Sequence, residues 1–205
     1  MSPRKQGNGA RGANVDTRED TRNVARLAQQ AADGTLLYAT KNPLPAETRA
    51  DAVKLLNLRL ADCIDLQSQT KQAHWNVKGP MFIALHKLFD EIYEATGEYI
   101  DLIAERVVQL GGIAEGTTRV AAQRSTLSEY PLVISTGEEH VAAMSDVLAE
   151  FSAKARAAID ELEEIEDPDS MDILTEVSRG VDQWLWFVEA HQQTRPASTE
   201  GRSKR

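Results

Sequence analysis

His86 and Asp90 stand four residues apart on a proline-free stretch, and Asp101 and Glu105 repeat that interval further along it. On a helix such a pair lies one turn apart on one face, where an imidazole and a carboxylate, or two carboxylates, can chelate a divalent ion. At about 100° per residue all four side chains fall within a stripe roughly 100° wide. The two pairs nevertheless cannot share an ion within one chain. Asp90 and Asp101 are separated by about 16 Å of helical rise, whereas metal–ligand bonds are about 2.0–2.6 Å. A second, antiparallel copy of the helix about a twofold axis would set His86 and Asp90 of one chain against Asp101 and Glu105 of the other, giving two equivalent centres. Ala95 and Gly97, between the pairs, are small enough to admit a close helix neighbour. Oxygen-rich ligation with imidazole and no thiolate suits ferrous iron, manganese or zinc better than copper or an iron–sulfur cluster, and iron is the preferred reading. The competing reading is a solvated charged face, the ordinary state of a lone helical acid. Glu91, Glu94 and Glu98, which have no paired imidazole, belong to that face.

These residues need a long helix to carry them. From Phe82 to Leu110 the apolar positions Leu85, Leu88, Phe89, Ile92, Leu102 and Ile103 recur in helical spacing, and Gly111-Gly112 marks the end. Ahead of it, after the break at Asn42-Pro43-Leu44-Pro45, a first bundle helix is predicted to about Val77, with Thr48 or Asp51 near its cap and Val53, Leu56, Leu60 and Ile64 as its inner stripe. A connector over 113–136, with a short helical turn expected at SEYPL, has the length of a long bundle crossover. A third helix is predicted over Glu138–Glu166, stopped by Asp167-Pro168, and a fourth from Asp169 to Gln193. No stretch alternates long enough to build a sheet.

The segments KQAHWNVKGPMFIALHKLFDEIYE and IDLIAERVVQLGG resemble the signature of the Dps family, the mini-ferritins that protect DNA during starvation. LLYATKNPLPAETRADAVKLLN, GTTRVAA, SEYPL and DILTEVSRGVDQWLWFVE are similar to further segments of that family in the same order, so the resemblance covers residues 36–190. It implies an all-α, ferritin-like four-helix bundle with a long crossover connection, assembled as a hollow dodecameric shell with ferroxidase centres at twofold interfaces. It also implies the ligand set: His74, His86 and Asp90 from one subunit, Asp101 and Glu105 from its neighbour. Trp75 matches the aromatic residue the family places beside the centre, where it would quench radicals by being oxidised; a buried interface aromatic is the alternative. Glu138, Glu139 and Asp146 fall where the family often places acids around an iron-admitting pore, although acids near a helix N-terminus are also favoured by the dipole. Glu161, Glu163, Glu164 and Glu166 would nucleate mineral or simply be solvated. The function implied is oxidation of Fe(II) to Fe(III), preferably by hydrogen peroxide and otherwise by dioxygen, with ferric mineral stored in the shell and hydroxyl-radical damage thereby limited. A classical ferritin centre, built within one bundle from Glu-x-x-His pairs, is not offered by the main helices.

Composition agrees with one domain. The chain has 205 residues, 41% of them hydrophobic, enough for a single core with tails. Residues 1–35 read as a flexible basic tail with a short helix after residue 16, 36–193 as the bundle, and 194–205 as a second flexible basic tail. The lone Cys63 excludes an intrachain disulfide, fits a reducing compartment and reads as a packed thiol. His140 reads as a surface histidine at a helix start and His191 as a last-turn residue complementing a helix C-terminus. The absence of a long apolar run or signal core leads to the expectation of a cytoplasmic protein, nucleoid-associated if it binds DNA, with no membrane partner. The net charge is −9. Residues 1–13 and 195–205 each carry +3, which leaves −15 for the body between them. That body attracts cations and repels DNA phosphates, while many copies of two basic tails would bind DNA by avidity. An alternative function follows: a mainly structural DNA-compacting protein acting through its tails. Tails that merely solubilise are the competing reading.

Overall fold

A computed structural model of the protein describes residues 36–193, together with the helical positions Arg22, Val24, Arg26, Leu27 and Gln30. The two expected basic tails, and the short helix but for those five positions, lie outside the described residues. Five helices follow in order: α1 (Ala46–Asn76), α2 (Phe82–Gln109), α3 (Thr118–Arg124), α4 (Gly137–Glu164) and α5 (Pro168–Glu189). Among the described residues there is no strand, only one parallel bridge between Lys78 and Thr136. No helix among them is long and apolar enough to cross a membrane.

The four long helices form a square in which α1 neighbours α2 and α4, and α5 neighbours the same two, with short α3 lying on α1. The core takes in most of the apolar positions expected on the first two bundle helices and adds stripes from the other two. Leu56, Leu60 and Leu66 of α1, Phe89, Ile92 and Ile103 of α2, Met144, Leu148 and Phe151 of α4, and Leu174 and Val177 of α5 are all fully buried. Each such side chain contributes roughly 1.5–3 kcal/mol. Ile64, on the expected inner stripe, is only half-buried. The end of α1 and the starts of α2 and α4 meet at one end of the bundle, where Lys78 N donates to Ser135 O at 2.9 Å. The tail of α5 joins them there, Gln192 Nε2 donating to Glu138 O at 2.8 Å.

The helix ends carry the main corrections. Neither Thr48 nor Asp51 caps α1: its N-cap is Pro45, with no side-chain cap, because the extended proline segment runs directly into the helix. Asp51 pairs instead with Lys54 at 3.0 Å. The end of α2 is as predicted: Gly111 takes φ +89°, its N–H reaches Val108 O, and Gly112 N–H reaches Val107 O, a Schellman closure. SEYPL is not helical; the crossover's helical turn is α3, and Pro131 disfavours helical backbone at Tyr130. Helix α4 stops at Glu164, two residues early, since Glu166 adopts φ +61° and closes the end as glycine does for α2. Helix α5 starts at Pro168 behind an Asp167 cap that accepts from Ser170 N, and stops at Glu189, followed by a turn over 190–192.

Candidate metal centre

His74 lies in the last turn of α1, and His86 and Asp90 lie in the first turns of α2, so the tight 77–81 connection folds the three together. The imidazoles of His74 and His86 stack with centroids 3.7 Å apart and planes inclined by 22°. His74 Nδ1 is 2.7 Å from His86 O, and His86 Nδ1 is 2.9 Å from His74 O. A carbonyl only accepts, so both Nδ1 atoms carry hydrogen, and in the neutral imidazole each Nε2 is then the atom with a lone pair. That tautomer is the one a metal requires, and the reciprocal bonds fix both ring planes. His74 is buried and His86 half-buried, with the Phe82 ring 5.0 Å from the latter. Asp90 Oδ1 lies 3.7 Å from His74 Nδ1 and is bonded by Lys71 Nζ. The Lys71 hydrogen bond, helped by the histidines, holds the Asp90 carboxyl below the usual carboxylate range.

Asp101 and Glu105 stand on α2 beyond these three, both exposed. Among the described residues no three His, Cys, Asp or Glu side chains converge to hold an ion within one chain. His74, His86 and Asp90 are neighbours at the α1–α2 junction without forming an ion-holding set by themselves, and Asp101 and Glu105 stand further along α2. Trp75, next to His74, is 65% exposed. Gly97 faces α1 in its own chain, where an added Cβ would lie 3.0 Å from Gln67 Nε2. Glu91, Glu94 and Glu98 are exposed, as expected of surface acids.

The three acids read as pore residues do not form one group. Glu139 is the capping-box residue of α4: its carboxylate accepts from Ser135 N and Thr136 N while Thr136 Oγ1 accepts from Glu139 N, which lowers its pKa. Glu139 and Asp146 border one groove beneath the crossover, whereas Glu138 borders a different one shared with Lys78 and His191. Glu161, Glu163, Glu164 and Glu166 are exposed. His140 corrects the surface reading: it is 1% exposed, its Nδ1 2.7 Å from Tyr130 Oη. The Tyr130 ring of the crossover stacks on it, with ring centroids 6.0 Å apart. His191 does sit at the α5 C-terminus, bonded to Phe187 O. Cys63 is a packed thiol, buried beside Thr96, and burial raises its pKa.

Residues 53–196 match the ferritin-like domain family. The DNA protection during starvation protein of Agrobacterium fabrum is 44% identical over 156 residues, covering 76% of this chain and 96% of that protein. The chain belongs to the Dps family. Among solved structures, Mycobacterium smegmatis Dps is 30% identical with a TM-score of 0.74, covering 82% of this chain and 96% of that one. Dps from Microbacterium arborescens, solved in its high iron form, is 32% identical with a TM-score of 0.68 over 76% and 99% of the two chains. The ferritin-like four-helix bundle with its long crossover is thus the fold of this Dps protein as well.

Two polar constellations elsewhere in the bundle escaped the sequence reading. Arg106, directly after Glu105, is buried and donates to Asp167 Oδ1 and Ser170 Oγ, both at 2.8 Å, pinning the end of α2 to the start of α5. Along α1, Asn57, Asp62, Asp65 and Gln69 hold the crossover through Ile113 O, Thr126 N, Ser125 Oγ and Ser128 O. Their recurrence at helical intervals on one side of α1 was the available signal.

Proposed function

We propose that this Dps protein is a ferroxidase and iron store whose centres are each completed by two subunits of a hollow dodecamer. The observation that supports the reading most directly is the stacked His74–His86 pair, whose Nδ1 atoms are taken up by backbone carbonyls, with Asp90 next to His74 on the helix that also carries Asp101 and Glu105. Ferrous ions bind between His74, His86 and Asp90 of one subunit and Asp101 and Glu105 of its twofold neighbour. The carboxylates favour the more highly charged ferric product, and the neutral imidazoles fix the geometry. For each hydrogen peroxide consumed, two ferrous ions give up one electron each, the O–O bond breaks and two protons complete two waters. Dioxygen is the slower oxidant. Ferric product moves into the cavity and mineralises, so both reactants that generate hydroxyl radical are removed. Trp75, exposed beside His74, takes up stray oxidising equivalents. Exposed Glu138, Glu139 and Asp146 near the start of α4 draw ferrous ions toward the shell, and Glu139 also caps that helix.

Intersubunit complementation tests this reading. D90A and E105A shells each oxidise ferrous iron at least tenfold more slowly than the parent. When the two chains are co-assembled, a heterodimer has one centre with both defects and one with none, and rapid oxidation returns in part. If the mixed shells remain as slow as either variant alone, or if D90A alone oxidises at the parental rate, the shared centre is wrong. The name of the Agrobacterium relative suggests DNA protection here too, and removal of ferrous iron and peroxide accounts for it without contact. Direct binding through the basic tails is read by a low-salt mobility shift of the full chain against a tail-deleted one.

A further inference from the structure

Lys71 lies on α1 one turn before His74, and its ammonium is bonded to Oδ1 of Asp90, the oxygen that also lies 3.7 Å from His74 Nδ1. The same Nζ sits 4.7 Å from the centre of the Tyr93 ring on α2. The side chain is only 24% exposed, so this is a held position rather than a surface excursion. A cation therefore already occupies the carboxylate oxygen that lies next to His74. We propose that Lys71 is a tethered counter-cation of the metal centre: its ammonium neutralises Asp90 while the site is empty and is displaced by the incoming divalent ion, remaining over the Tyr93 ring. The inference rests on the metal-centre reading above and adds to it a residue that sets affinity without ligating.

The physical argument is an exchange. An Asp90 carboxylate beside two stacked imidazoles and without a counter-charge would favour any passing cation, including sodium or magnesium. The ammonium supplies one charge and hydrogen bonds, which suffices to exclude weakly bound ions. A transition-metal ion with two charges and direct bonds to imidazole replaces it. The aromatic face beside Asp90 lets the ammonium leave the carboxylate without leaving the protein, since a cation over Tyr is stabilised by the ring quadrupole. The cost of the exchange is charged against metal affinity, so the centre binds more weakly than its ligands alone would.

The test uses zinc, which does not oxidise, titrated into the assembled metal-free protein with heat as the readout. K71M tightens zinc binding roughly tenfold, as expected for removing a competing charge next to the ion, and admits magnesium that the parent excludes. K71R keeps the charge and restores the parental isotherm. Thermal melts separate this from a packing role. In K71M the metal-free protein melts lower than the parent and zinc recovers the difference, whereas lost packing lowers both melts equally and leaves the isotherm alone. Should K71M not assemble, K71Q serves in the same titration. Parental zinc affinity in the uncharged variant, or K71R behaving like it, overturns the proposal. D90N distinguishes the two readings: if D90N binds zinc as the parent does, the metal centre itself is misplaced, and if D90N loses binding while K71M changes nothing, only the role of Lys71 fails.

Discussion

The imidazoles of His74 and His86 are joined by two hydrogen bonds in opposite senses, each Nδ1 donating to the other residue's backbone carbonyl at 2.7 and 2.9 Å. The pair thus closes the junction of α1 and α2 with its Nδ1 side and leaves its Nε2 side for chemistry. The two roles separate by substitution. Asn at position 86 places an amide N–H where the imidazole Nδ1–H was and has nothing in the place of Nε2. H86N is expected to keep the junction, with a melting temperature close to the parent's, and to lose at least tenfold in affinity for cobalt(II) measured by its ligand-field spectrum. Parental cobalt binding by H86N would remove His86 from the centre.

Arg106 and Asp167 form a buried ion pair one residue beyond Glu105, with side-chain exposures of 5% and 0%. Removing one partner strands a buried charge, which typically costs about 3–5 kcal/mol. R106M should therefore lower the urea midpoint strongly and loosen the end of α2 first, seen as faster hydrogen exchange at Val107, Val108 and Leu110. Iron oxidation is expected to weaken with it, since Glu105 is positioned by that turn. An R106M variant as stable as the parent would show that Asp167 is satisfied by Ser170 and its helix N-terminus alone.

The contrast between Glu105 and Arg106 shows how far the sequence could be read. The spacing of His86, Asp90, Asp101 and Glu105 on an apolar-striped segment was enough to place a helix and to rule out one ion for all four side chains within a chain, because helical geometry converts sequence distance into space. It could not show that Arg106 is buried, since an arginine after a glutamate on such a helix has the pattern of a surface charge until α5 is packed against it. Lys71 escaped for the same reason: its partner lies across the α1–α2 junction. Helix ends were legible where glycine marked them, as at Gly111, and misjudged where Glu166 took the same left-handed conformation without the residue type that announces it.

Glu166, exposed at φ +61°, holds a conformation that costs an L-residue roughly 1–2 kcal/mol. Glycine there removes the strain, partly offset by its greater freedom in the unfolded chain. E166G is expected to gain roughly 0.5–1 kcal/mol, visible as a higher urea midpoint with unchanged m-value. A lower midpoint would mean that the Glu166 side chain contributes more than its backbone costs.

His140 gives the fold a dependence on mild acid. Burial against Tyr130 lowers its pKa, outweighing Glu139 and the Asn76 carbonyl, which raise it, while Lys78 acts with burial. A histidine in the unfolded chain titrates near about 6.5. With the folded value below that, the unfolded chain binds more protons in the interval between them, so stability is complete above about pH 6.5 and declines as the pH falls toward the folded value. Urea midpoints should therefore drop between pH 7 and pH 5, a range in which ordinary carboxylates remain ionised. In H140N, whose amide stands in the place of Nδ1 and meets the Tyr130 hydroxyl without titrating, that decline should be shallower. Equal slopes for the two proteins would place the acid sensitivity elsewhere.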